Sequence, residues 1–142
     1  MITLHINNNK ILKNSLEGIT SEIYFNVNNK IFPEINWNDS IIVILNFWLD
    51  EIIKMKNSNT FEGDFLFMDG PLKIKIIKND SKTQFKGFIQ NKNVINEFIN
   101  FDDFTSTVIS GAIKVLTETK TRKWNNKDIE NLEAKIKNIL SD

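Results

Sequence analysis

One side chain in this sequence has an ordinary pKa near neutrality, and it is His5. It lies in a segment where Ile2, Leu4 and Ile6 alternate with Thr3 and His5. That period puts the imidazole on the polar side of a half-buried strand, so His5 reads as a solvent-facing residue rather than a general base. A lone histidine cannot make a two-histidine metal site. The absence of cysteine removes thiolate nucleophiles, disulfides and cysteine-ligated zinc. No Gly-x-Ser-x-Gly elbow, phosphate-binding glycine loop or dinucleotide glycine pattern occurs.

What remains is charge in groups. Glu62 and Asp64 share one face of a strand, and Asp102 and Asp103 are adjacent; paired carboxylates of this kind hold hard cations or do acid–base work. Each pair also has a plain structural reading, the first as the wet end of a strand and the second as acids favoured at the positive end of a helix. Lys73, Lys75, Lys82 and Lys86 project together, because i and i+2 share a strand face and neighbouring strands pair. They form a basic patch suited to solvent or to an acidic protein partner. Phe88 is the one aromatic residue among them, too few for a base-stacking RNA platform. These eight residues are the expected partner contacts, with no catalytic residue, no metal and no cofactor.

The elements that must position them follow from periodicity. Ile23, Phe25 and Val27 alternate with polar neighbours, and Asn28-Asn29 signals a turn into a short return strand, Lys30-Ile31-Phe32. Between the first two strands, Ile11, Leu12, Leu16 and Ile19 have near-helical spacing interrupted by Gly18. Asn36-Trp37-Asn38-Asp39 offers capping side chains ahead of a long helix from Ile41, whose stripe is Ile44, Leu45, Trp48, Ile52 and Met55, and Asn57-Ser58-Asn59 breaks it. Strands over 61–68, 72–78 and 82–90 form a meander, turning at Asp69-Gly70-Pro71 and Asn79-Asp80-Ser81. The first of these has both faces apolar toward its end, as in a central strand. Val94 to Phe101 fits either a further strand or the lead-in to a helix. Asp102-Asp103 then caps a helix with Phe104, Val108, Gly111, Ala112 and Val115 on one face, the small pair allowing close approach. A last helix follows Asn125-Asn126, with Ile129, Leu132, Ile136 and Ile139 in line. Trp37 and Trp124 stand just ahead of helices, where an aromatic packs as a staple.

The expected fold is therefore α+β over residues 1–142 as a single domain: an antiparallel sheet of about five strands, one long mid-chain helix, and two C-terminal helices packed on one face. The 142 residues, 41% hydrophobic and 25% charged, suit one core. Lysine plus arginine equal aspartate plus glutamate at 18 each, and the one arginine is Arg122, so a nucleic-acid partner is not expected. No apolar run approaches the roughly 20 residues that span a bilayer, nor does the start resemble a secretion signal. The expected location is the cytoplasm, with no membrane partner.

The segment Phe65-Leu66-Phe67-Met68-Asp69-Gly70-Pro71-Leu72 resembles a motif of small bacterial immunity proteins of polymorphic toxin systems. The resemblance extends to Trp37-Asn38-Asp39 with its helix through Trp48, and to the closing Trp124-Asn125-Asn126-Lys127-Asp128-Ile129 helix. It implies a non-enzymatic protein that binds and neutralises a cognate toxin domain, by occlusion and without catalytic residues of its own. Immunity to nucleic-acid-cleaving toxins often uses a strongly acidic surface, and this chain is neutral overall. Asp69, Gly70 and Pro71 read as what builds the hairpin. The alternative is a small regulatory or adaptor domain that binds a peptide or a second copy of itself, for instance along a sheet edge. A third reading, a metal enzyme using the carboxylates, ranks last.

Overall fold

The computed structural model describes residues 1–14, 18–57, 61–79 and 82–141. It is α+β, as the periodicities predict, but its strands divide between two antiparallel sheets instead of forming one. The first sheet has β3 (Ile19–Val27) as its spine. The C-terminal half of β3 pairs with β1 (Ile2–Ile6) and β4 (Lys30–Phe32), and its N-terminal half pairs with β2 (Leu12–Lys13) and β5 (Asn38–Ser40). Strict alternation of buried and part-exposed residues along β3 makes it a one-sided strand. Asn28 and Asn29, at φ 51° and 71°, close the β3–β4 hairpin as a two-residue turn.

The second sheet is the meander, in the order β6 (Glu62–Leu66), β7 (Leu72–Lys78), β8 (Thr83–Ile89) and β9 (Lys92–Ile99). The ambiguous stretch from Val94 is thus resolved as strand. Gln90 and Asn91 both take left-handed φ and form another two-residue turn, between β8 and β9. The strand 61–68 is not central, since β6 lies at a sheet edge. Ser58, Asn59, Asp80 and Ser81, read as breaker and turn residues, lie outside the described residues.

Three helices complete the fold: α1 (Ile41–Asn57), α2 (Phe101–Thr121) and α3 (Lys127–Leu140). Asn100 caps α2 by accepting from the Asp103 amide, and Asp102 and Asp103 occupy the first turn instead of the cap. Asn126 caps α3 in the expected way, accepting from the Ile129 amide at 2.8 Å. Ahead of α1 the expected capping run is partly strand, as β5, and Asp39 is put to a different use described below. The described part of the 11–20 segment is not helical: Ile11 is fully buried, Leu12 and Lys13 form β2, and Leu16 lies outside the described residues.

α2 lies along β1, and Gly111 brings it within reach of the Leu4 and Ile6 side chains. α3 forms an outer layer over α1 and α2. The core joins both sheets through aromatic rings. Phe25 stacks on Trp48 and Phe104 at 5.5 and 5.9 Å and meets Phe85 edge-on at 5.5 Å; Phe32 meets Phe67 and Phe85 edge-on. Such pairs add about 0.5–1.5 kcal/mol each beyond burial. Gly87 makes the sheet-to-sheet approach possible, since a Cβ there would lie 2.7 Å from the Phe32 ring and 2.4 Å from Ile95 Cγ2.

Candidate docking face

The face of the second sheet turned away from this core is open. Its residues are set by register. Leu66, Lys73 and Phe88 line up in one row, Asp64, Lys75, Lys86 and Asn96 in the next, and Glu62, Ile77, Gln84 and Phe98 in the third. No helix of the described residues packs on it. Phe98 is 61% exposed and Leu66 45%, and Met68, just beyond β6, is 50% exposed. Leu12, Ile35, Phe61 and Leu140 are comparably exposed elsewhere; here the apolar groups share one open sheet face with four lysines.

The structure brings six of the eight expected contact residues onto this face. Lys73, Lys75 and Lys86 stand on adjacent strands, and Lys82 precedes β8 with its ammonium 5.1 Å from the Phe98 ring centroid. Glu62 and Asp64 join them, each near the Lys75 ammonium, at 3.7 and 3.9 Å. The acidic pair and the lysine patch are therefore parts of one surface. Asp102 and Asp103 lie elsewhere, at the start of α2. They line a cleft of about 660 Å³ at the end of the sheet, together with Lys56, Lys78, Lys82 and Phe98. Lys82 and Phe98 belong to both cleft and face, so the two are continuous.

Sequence reasoning missed the apolar part of the surface. Leu66 and Met68 looked like core because β6 looked central, and Phe98 sat in the unassigned stretch. Exposure of alternate apolar residues in an edge strand was the available signal, but it depends on knowing which strand is the edge.

The Asp69-Gly70-Pro71 turn is held from below. The Asp39 carboxylate, only 2% exposed, accepts from Trp37 Nε1 at 3.1 Å, from the Ser40 amide at 2.7 Å and from the Asp69 amide at 3.2 Å. The Trp37 ring lies against Gly70, whose φ of 94° is open to glycine at little cost. Trp48 Nε1 donates to the Leu66 carbonyl at 2.8 Å. The two quoted stretches, Trp37–Asp39 and Met68–Pro71, thus meet in space, and Asp69–Pro71 builds and anchors the hairpin.

Two sheet edges, those of β1 and β9, are engaged by side chains. Along β1, the Leu4 amide donates to Thr107 Oγ1 at 2.8 Å, and Lys114 Nζ donates to the Ile6 carbonyl at 2.7 Å. On β9, Asn28 Nδ2 donates to the Phe98 carbonyl, and a bulge leaves Val94 unpaired where the register shifts. Glu97 is clamped by Lys30 Nζ at 2.8 Å and Asn28 Nδ2 at 3.0 Å, and these bonds, Lys30 first, hold its carboxyl below the usual range.

The other sequence candidates fall into structural places. His5 stacks flat on Tyr24, with centroids 5.0 Å apart, on the outer face of the first sheet. Trp124 packs under the Arg122 guanidinium at 5.0 Å. That guanidinium also donates to the Ile11 and Asn8 carbonyls, so the one arginine ties the N-terminal turn to the α2–α3 junction. Among the described residues no three histidine, aspartate or glutamate side chains converge as a metal site, and no helix is long and apolar enough to cross a membrane. Comparison with protein-family models, curated proteins and solved structures finds no match.

Proposed function

We propose that this protein is a non-catalytic binding protein that holds and neutralises a cognate toxin domain in the manner of a bacterial immunity protein. The family resemblance supplies the kind of partner. The observation that carries the binding role is the open face of β6 to β9, where Leu66 and Phe98 stand in water among four lysines. Phe98, and Met68 just beyond β6, are of the residue types enriched at protein interfaces. Docking across the face also fits the engaged edges better than strand addition to β1 or β9 does, which gives the peptide-binding adaptor reading less support.

The test is co-expression with the C-terminal domain encoded immediately upstream. Nanomolar binding with rescued host growth is the expected result. A concentration-dependent mass without any affinity for that domain would favour self-association and overturn the immunity reading.

A further inference from the structure

Charge on the open face is unbalanced in a way the chain as a whole is not. Totals are equal at 18 and 18. On the face, Lys73, Lys75, Lys82 and Lys86 stand against Glu62 and Asp64, and both carboxylates lie by the same lysine, Lys75. Lys73, Lys82 and Lys86 meet no carboxylate within 4 Å among the described residues, so the two acids leave the face with more positive than negative charge. Lys75 and Lys86 are direct cross-strand partners in the register. Glu62 and Asp64 offset the charge of Lys75, which leaves Lys86 opposite it as the uncompensated cation of the pair, open to a carboxylate of a partner.

The partner is a protein and not a nucleic acid on two grounds. Lys73 lies 5.5 Å from the Phe88 centroid and Lys82 5.1 Å from that of Phe98, so a base stacking on either ring would compete with a cation of the same chain. The chain's arginine, the side chain best suited to phosphate forks, is engaged at the α2–α3 junction.

Resting on the toxin-binding reading, we infer that the toxin surface received by this face carries carboxylates between apolar groups. Leu66 and Phe98, at opposite corners of the sheet, contact the apolar groups, and Lys73, Lys82 and Lys86 meet the acids. A groove that binds nucleic-acid phosphates is basic and would be repelled. The surface contacted is thus of opposite sign to a nuclease groove, and neutralisation here works either on a toxin of different chemistry or away from such a groove.

The experiment measures association of the upstream-encoded toxin domain with four forms of the full chain: the wild type, K73E/K86E, E62Q/D64N and F98A. All are made at exposed or half-exposed positions, and their melting is recorded alongside. The expected pattern is opposed in sign. K73E/K86E weakens binding by about tenfold or more, chiefly through slower association; E62Q/D64N speeds association; raised salt weakens the wild type; and F98A raises the dissociation rate. If a complex forms but both charge variants leave it unchanged, or act in the reverse direction, the acidic-partner inference is wrong while the immunity reading stands. If tRNA competes for the face, the partner class is wrong. If no complex forms, both readings fall together.

Discussion

The two sheets present very different faces to water. Among the described residues the outer side of the first carries Thr3, His5, Thr20, Glu22, Tyr24 and Asn26, with Leu12 beside Thr20 and Ile31 beside Asn26 as its exposed aliphatic groups, and its two rings cover each other. The outer side of the second carries Leu66, Ile77, Phe88 and Phe98 among lysines that outnumber the acids. Both sheets solve the same folding problem on their inner sides, where aromatic and branched residues meet in one core. Folding therefore does not account for the difference outside. Under the proposed binding role, the exposed Phe98 and the excess of lysines put the contact surface on the second sheet and leave the first as scaffold.

The sharpest way to probe that contrast compares two phenylalanines of one sheet on opposite sides. Phe85 is fully buried against Phe25 and Phe32, so Phe85→Ala should cost about 4 kcal/mol in urea unfolding. Phe98→Ala should stay within about 0.5 kcal/mol of the wild type while losing partner affinity. Equal stability losses would erase the distinction between the sides. Next in size is Gly87→Ala, which drives a methyl into Phe32 and Ile95 at the joint between the sheets. Overpacking there should cost about 2–3 kcal/mol, and an unchanged melting temperature would mean the sheets are not held by that approach.

Asp39→Asn follows. The carboxylate accepts three donors, and an amide nitrogen must face at least one of them, so a loss of about 2 kcal/mol is expected. Tryptophan fluorescence should shift with it, because the bond from Trp37 is among those affected. Smaller still is the acid response of the clamp between the β3–β4 turn and β9. Glu97 has a lowered pKa in the folded chain, so its contribution is present above the ordinary carboxylate value, near 4.3, and is lost as pH falls through the lower folded value. Glu97→Gln should remove that part of the stability loss below about pH 4, visible as a flatter melting-temperature profile. The smallest effect belongs to the scaffold face. His5→Ala should change stability by no more than about 0.5 kcal/mol and leave binding untouched.

Much of this contrast was legible in the residues, and the remainder was not for physical reasons. Alternation located β1, β3 and β7, and Asn28-Asn29 announced its hairpin. Three-and-four spacing located α1, α2 and α3, and the small pair Gly111-Ala112 marked a close approach on α2 without indicating that its partner is β1. Alternation also says which side of a strand is buried, but not which strands pair across long separations. The split into two sheets around β3, and the edge position of β6, were accordingly out of reach. β9 was obscured by its own bulge: Val94 interrupts the period of two, leaving exposed Val94 beside buried Ile95. For the surface, the lysines were legible from their i, i+2 spacing within strands. Their merger with Glu62 and Asp64 depends on the β6–β7 register, and Phe98 depends on β9.

Lysine acylation footprinting of the complex with the upstream-encoded domain tests the central claim most directly, because the chain carries lysines on both the proposed face and the helices. Binding should protect Lys73, Lys82 and Lys86 and leave exposed Lys123, Lys127 and Lys137 as reactive as in the free protein. Protection of the helix lysines, with Lys73 and Lys86 unchanged, would place the partner on the other side of the molecule and contradict the account.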